Sequence, residues 1–170
     1  MFKLYRFLII FFCFFLITHA HSDDRKIVYL NLDLIVQNSV PGKFILEQLE
    51  IEKKKSIEKF KLEETKIRKK EEDLIKKKNV LSDEEFTSNV NALKEEMNIY
   101  NKERKKIFLE FEKNKKKKLN DFLNKVTPLI QKFVKENSIN IVLNEKNLFI
   151  ASKKFDITDQ IIQIINENIK

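Results

Sequence analysis

The sequence is short of almost everything that interrupts regular structure or supports covalent chemistry. Its 170 residues include one glycine (Gly42), two prolines (Pro41 and Pro128), one cysteine (Cys13), two histidines (His19 and His21) and no tryptophan. With its single glycine beside Pro41, the chain has no glycine-rich loop for a phosphate. Cys13, His19 and His21 all fall at or before position 21. The rest of the chain therefore lacks the histidine or cysteine of a nucleophile–base pair, and it has no thiol for a disulfide. Carboxylates do come in pairs, as Glu63-Glu64, Glu71-Glu72, Glu84-Glu85 and Glu95-Glu96. They stand among lysines in helical patterns, so solvated faces and i,i+4 ion pairs explain them better than acid–base catalysis does. Asp156, Asp159 and Glu145 offer oxygens to a hard cation, but not at the alternating spacing of a calcium loop. The expectation is a binding protein, with no catalytic residue, no metal and no cofactor.

The N-terminus carries an export pattern. Lys3 and Arg6 precede an unbroken apolar run from Phe7 to Ile17, which ends at Thr18-His19-Ala20. A positive start, an apolar stretch and a small–spacer–small site make a secretory signal peptide, here cleaved near Ala20. The run is shorter than the ~20 residues of a membrane-spanning helix, which weighs against the alternative of a retained anchor.

The chain has 34 Lys and Arg against 26 Asp and Glu, a net +8. Without Lys3 and Arg6, 32 basic residues remain against 26 acidic, a net +6. A basic balance favours anionic partners. Export makes nucleic acid unexpected and leaves anionic lipid, lipopolysaccharide or acidic polypeptides. The lysine runs are Lys53-Lys54-Lys55, Lys76-Lys77-Lys78 and Lys115-Lys116-Lys117-Lys118. Any single run is explained by solubility. Together they set up a positive field along the chain, with Lys76, Lys77, Lys78, Lys115, Lys116, Lys117 and Lys118 as the candidate basic surface.

The periodicity divides the chain into a body and an arm. Ile27 to Leu32 alternates as a short strand, with Val28, Leu30 and Leu32 on one face. Asp33 is placed to cap a helical turn over Leu34 to Asn38, and Ser39-Val40-Pro41-Gly42 reads as a turn. From Lys43 the charge density rises. Leu46, Phe60, Ile67, Leu74 and Leu81 then recur at multiples of seven, with Leu49 and Ile57 serving the complementary position early. The tip is expected near 79–83. Ser82 and Glu85 form a capping box that starts a second helix, whose seam is Phe86, Val90, Leu93, Met97, Tyr100, Ile107 and Phe111. Two facing seams with a short connection predict an antiparallel helical hairpin over 43–118. Its candidate binding residues are Phe60, Ile67, Leu74, Phe86 and Phe108. Filling the seam is the blander reading of these side chains. Ile107 and Phe108 are adjacent, so only one of them points squarely inward.

A wider apolar stripe from Leu119 to Val134 predicts re-entry into a packed body, with a kink or a new helix at Pro128. Ile139, Ile141 and Leu143 alternate as a second strand. Leu148 to Ala151, with Leu148 and Ile150, returns as a third, giving a β-hairpin over 139–151. Thr158 is placed to cap a last helix over 158–169. The expected segments are thus a signal peptide 1–20, an N-terminal part of the body 21–42, the arm 43–118 and a C-terminal part of the body 119–170. The fold class is α+β, mostly α. So small a sheet leaves open edges, which favours association between chains.

Two end segments carry a resemblance. Lys26-Ile27-Val28-Tyr29-Leu30-Asn31-Leu32, with Val36-Gln37-Asn38-Ser39-Val40-Pro41-Gly42-Lys43, resembles the opening of the Skp (OmpH-like) family of periplasmic chaperones. Ile139-Asn140-Ile141-Val142-Leu143-Asn144 and Phe155-Asp156-Ile157-Thr158-Asp159 resemble its closing segment. The resemblance implies a homotrimer whose strands form a small barrel, with three helical hairpins around a cavity. It also implies an ATP-independent holdase for unfolded outer-membrane proteins in the periplasm. Val28, Leu30, Leu32, Ile139, Ile141, Leu143, Leu148 and Ile150 would be the strand residues of that assembly. The alternatives are a structural envelope coiled coil and a basic binder of lipopolysaccharide or anionic lipid.

Overall fold

The computed structural model describes residues 26–169. The expected signal peptide and its cleavage site lie outside them. The elements are β1 (Ile27–Leu30), α1 (Leu32–Asn38), α2 (Val40–Lys76), α3 (Asp83–Glu136), β2 (Ile141–Asn144) and α4 (Thr158–Asn168). Single 3-10 turns at Glu145–Asn147 and Lys153–Phe155 join β2 to α4.

Strands β1 and β2 pair in parallel, with Ile27 opposite Ile141 and Leu30 opposite Asn144. Parallel neighbours need a crossover, and here α1, α2 and α3 together supply it. The core lies where these strands meet the helices. Val28, Leu30, Ile35, Phe122, Val126, Ile139, Ile157, Ile161 and Ile165 are buried there as one cluster.

Several local expectations change. The first strand ends at Leu30 because Asn31, not Asp33, caps α1. The Asn31 side chain accepts from the Leu34 N–H at 2.9 Å, so the helix starts at Leu32. Val40-Pro41-Gly42 is not a free turn but the first turn of α2. Ser39 is its N-cap and accepts from the Gly42 N–H at 3.3 Å, and proline fits a first turn because no amide is needed there. Gly42 is required by close approach, since a Cβ at that position would sit 2.1 Å from the Val36 carbonyl oxygen.

Pro128 neither ends α3 nor starts a new helix. The helix runs unbroken for 54 residues, roughly 80 Å. Asn124, whose carbonyl loses its amide partner to the proline, is exposed like Pro128 itself, so water can take that carbonyl. The helix closes in a Schellman turn. Ile139 donates to the Val134 carbonyl at 3.0 Å and Ser138 to that of Lys135 at 3.3 Å, with Ser138 at φ 51°. This reversal resets the strand phase. Ile139 enters the core ahead of β2, Val142 packs against the core from within it, and Ile141 and Leu143 point outward.

Among the described residues there is no third strand, so the β-hairpin over 139–151 does not form. Asn144 accepts from the Lys146 N–H at 3.1 Å and turns the chain away from the sheet. Phe149 and Ile150 then emerge 103% and 86% exposed. The sheet edge is used instead by Tyr29, which bridges to Asp156 and accepts from the Ile157 N–H at 2.9 Å. Thr158 does not cap α4. The N-cap position is Ile157, which offers no side-chain cap hydrogen bond; Asp156, one residue earlier, accepts from the Thr158 N–H at 2.9 Å, while the Thr158 hydroxyl accepts from the Asn31 N–H at 3.0 Å.

Candidate binding surface on the helical hairpin

Outside the core cluster, α2 and α3 lean on each other. The Lys59–Glu103 and Lys70–Glu96 ion pairs, both at 2.6 Å, and the Asn114–Glu52 hydrogen bond at 2.8 Å link residues rising on one helix to residues falling on the other. The two helices are therefore antiparallel. Lys77 to Ser82 make the tip, and Ser82 and Glu85 form the full capping box. The bonds from Ser82 hold the Glu85 carboxyl below its ordinary pKa.

The seam is thin. Leu49 and Ile67 are its buried members, and Phe60, Leu74 and Phe86 are half-buried. Phe60 meets Tyr100 edge-on with ring centroids 6.1 Å apart. Phe108, in contrast, points away from the seam and is 61% exposed, while Ile107 is half-buried. The structure therefore puts four of the five candidate arm residues into the hairpin's own packing and one on its surface.

Ile57 departs from its expected place. The position seven after Leu49 is Ser56, so Ile57 is turned about 100° off the seam and stands 53% exposed. Ser56 and Lys53 on α2 and Arg104 on α3 replace apolar knobs, and a gap opens beside them. The result is an open groove of about 500 Å³ between the helices. Leu46, Leu49, Phe60, Ile107 and Phe111 line it, Ile57 and Phe108 flank it, and Lys53, Arg104 and Lys115 stand around it. The sequence singled out Phe108 but not Ile57 as an outward residue. The signal available was its one-residue offset from the seven-residue period.

The basic candidates are dispersed. Lys76, Lys77 and Lys78 are exposed at the tip, where Lys76 reaches Asp73 at 3.5 Å and Asp83, Glu84 and Glu85 open the next helix. Lys115, Lys116 and Lys117 are exposed, whereas Lys118 approaches Glu52 at 4.0 Å. Beside the groove, the hydrogen bond and charge of Glu103 raise the Lys59 pKa, and those of Lys66 lower that of Glu63.

The body candidates split in the same way. Val28, Leu30 and Ile139 are buried in the single chain, and Leu32 and Leu148 are half-buried. Ile141, Leu143 and Ile150 are exposed. A shallow depression of about 390 Å³ lies on this outer side, lined by Ile27, Tyr29, Leu143, Leu148, Ile150 and Phe155 among others.

Among the described residues no group of three His, Cys, Asp or Glu is placed to hold a metal ion. No described helix is long and apolar enough to cross a membrane. A long hairpin with an open apolar groove can take up apolar side chains reversibly. Comparison with known proteins agrees with this architecture, for the outer membrane protein (OmpH-like) family matches residues 26–165. The chain belongs to the OmpH-like family. The match takes in β1, the whole hairpin, β2 and most of α4. The fold is similar to the crystal structure of an OmpH-like protein from Caulobacter crescentus CB15, at 18% identity and a TM-score of 0.75 over 85% of this chain and 86% of that one. A search of curated proteins finds no match.

Proposed function

We propose that this OmpH-like protein is an ATP-independent holdase that binds unfolded outer-membrane proteins and keeps them soluble on the way to the outer membrane. The observation that carries the reading is the hairpin: two long helices whose thin seam opens into an apolar groove. Weak apolar contacts repeated along such an arm hold a chain without needing nucleotide energy. The Caulobacter relative is a candidate outer membrane chaperone. Removal of the first ~20 residues by signal peptidase would release the protein into the periplasm. The exposed apolar side of the sheet, with Ile27, Ile141, Leu143, Phe149 and Ile150, favours a homotrimer closed through the body. The exposed lysines Lys115, Lys116 and Lys117 also favour contact with lipopolysaccharide or anionic lipid, weakened by salt.

The test is dilution of a denatured outer-membrane barrel into buffer with and without the mature chain. One trimer per barrel suppresses light scattering under this reading. Unchanged aggregation, or sedimentation as a filament, removes it.

A further inference from the structure

The net charge is not spread along the arm. Residues 43–61 and 102–118, the half next to the body, hold 15 basic and 7 acidic residues, a net +8. Residues 62–101, the half that includes the tip, hold 8 basic and 10 acidic, a net −2. Despite Lys76, Lys77 and Lys78, the distal half is slightly acidic. The apolar groove lies entirely within the basic half, between Leu46 and Phe60 on α2 and Arg104 and Lys115 on α3. Of the two carboxylates beside it, Glu50 faces Lys54 at 3.9 Å, and Glu112 is the other. Among the described residues Lys53, Arg104 and Lys115 have no ion-pair partner, whereas Lys59 is held by Glu103.

We propose that this groove, and not the tip, is where the arm grips its client, and that it takes one extended polypeptide segment with apolar side chains at every second position and carboxylates between them. The proposal rests on the chaperone reading above and deepens it. From Leu46 to Phe60 the groove runs roughly 21 Å along α2 at 1.5 Å per residue. An extended chain rises about 3.3 Å per residue, so the groove matches a segment of about six residues. Its alternate side chains enter beside Ile57 and Phe108, and the long cations at the rim reach the carboxylates between them. The unpaired state of Lys53, Arg104 and Lys115 matters here, because a charge already neutralised by a neighbour adds little attraction for a ligand.

The probes are two fluorescent decapeptides, one alternating leucine with glutamate and one alternating leucine with lysine, titrated into the full mature chain. The expected result is at least tenfold tighter binding of the glutamate peptide. The paired change Ile57→Ser and Phe108→Ser alters no charge and touches only exposed side chains. It weakens that binding about fivefold or more. Arg104→Glu with Lys115→Glu weakens it further, whereas Lys76→Glu, Lys77→Glu and Lys78→Glu together leave it within twofold. Equal affinity for the two peptides overturns the proposal, as does binding that ignores the two serines or that is lost with the tip lysines. The barrel-aggregation assay on the same preparations separates the two claims. Protection without groove-dependent peptide binding sinks the groove alone. Groove-dependent binding without protection leaves a peptide site and removes the chaperone.

Discussion

Nine buried apolar side chains gather where β1, α1, α4 and the end of α3 meet, whereas the hairpin outside that cluster buries only Leu49 and Ile67. The body adds long-range hydrogen bonds to its packing: Asn31 to Thr158, Ile157 to Tyr29 and Lys26 to Asn140. The hairpin adds ion pairs between exposed side chains, of the kind that contributes little to stability and is screened by salt. The difference shows that one chain can hold a firm frame and a loosely joined arm without a domain boundary, because α3 belongs to both. Stability sits in the body. Among the described residues, exposed large apolar side chains are found on both, ten on the arm and eight on the body.

The largest effect should come from opening the body. Ile161 is fully buried, and Ile161→Ala should cost about 2–5 kcal/mol and lower the melting temperature of the whole molecule. A melt no different from the parent would erase the distinction between the two regions. Next comes the corner where α1 meets α2. Gly42→Ala places a methyl against the Val36 carbonyl, and its expected cost is about 1–3 kcal/mol, read by urea denaturation. Ile67→Ala should matter less than Ile161→Ala and act locally. Hydrogen exchange should quicken in the hairpin near Ile67 and stay unchanged in β1 and α4. Faster exchange in the body would mean that the arm supports it.

The smallest effect concerns acid. Burial works to raise the Asp156 carboxyl, whose side chain is only 7% exposed, but the hydrogen bonds from Lys153 and Thr158 outweigh it and hold the pKa below its ordinary 3.8. A lowered carboxylate stabilises the fold fully above the ordinary value, and that contribution is lost as the pH falls through the lower folded value. Asp156→Asn should therefore flatten the stability profile below about pH 4. It should leave the hairpin's helicity untouched at neutral pH.

How much of this was legible in the sequence follows from the range of the interactions involved. The hairpin was, because heptad spacing and the Ser82–Glu85 capping box are written within a few residues of each other. The mostly helical class and the presence of a last helix, α4, were as well. The sheet was not. A third strand at 148–151 has the right composition, but Asn144 turns the chain away, and the edge goes to Asp156, which alternation does not mark. The strand phase after α3 depended on the Schellman turn at Ser138: alternation puts Ile139 and Ile141 on one face, but after the left-handed residue Ile139 is buried and Ile141 faces outward. Of the two expectations at Pro128, a kink or a new helix, the new helix does not occur, because α3 continues through it with the Asn124 carbonyl exposed to water. On the arm, Phe108 was identified by its adjacency to Ile107. Ile57 was assigned to the seam, although its offset of one residue places it outside. The groove itself depends on three polar residues that meet only once the two helices face each other.

The parallel pairing of β1 with β2 carries a consequence for how the chain is made. Lys26 and Asn140 are hydrogen-bonded across 114 residues, with the whole arm between them. During synthesis, β1 emerges first and has no strand to pair with until everything up to β2 has followed. The hairpin zips from neighbouring residues in the meantime, since closing its short tip costs far less entropy than closing the body. The frame that anchors the arm is thus completed after the arm. Until then each new copy exposes an unpaired strand of its own.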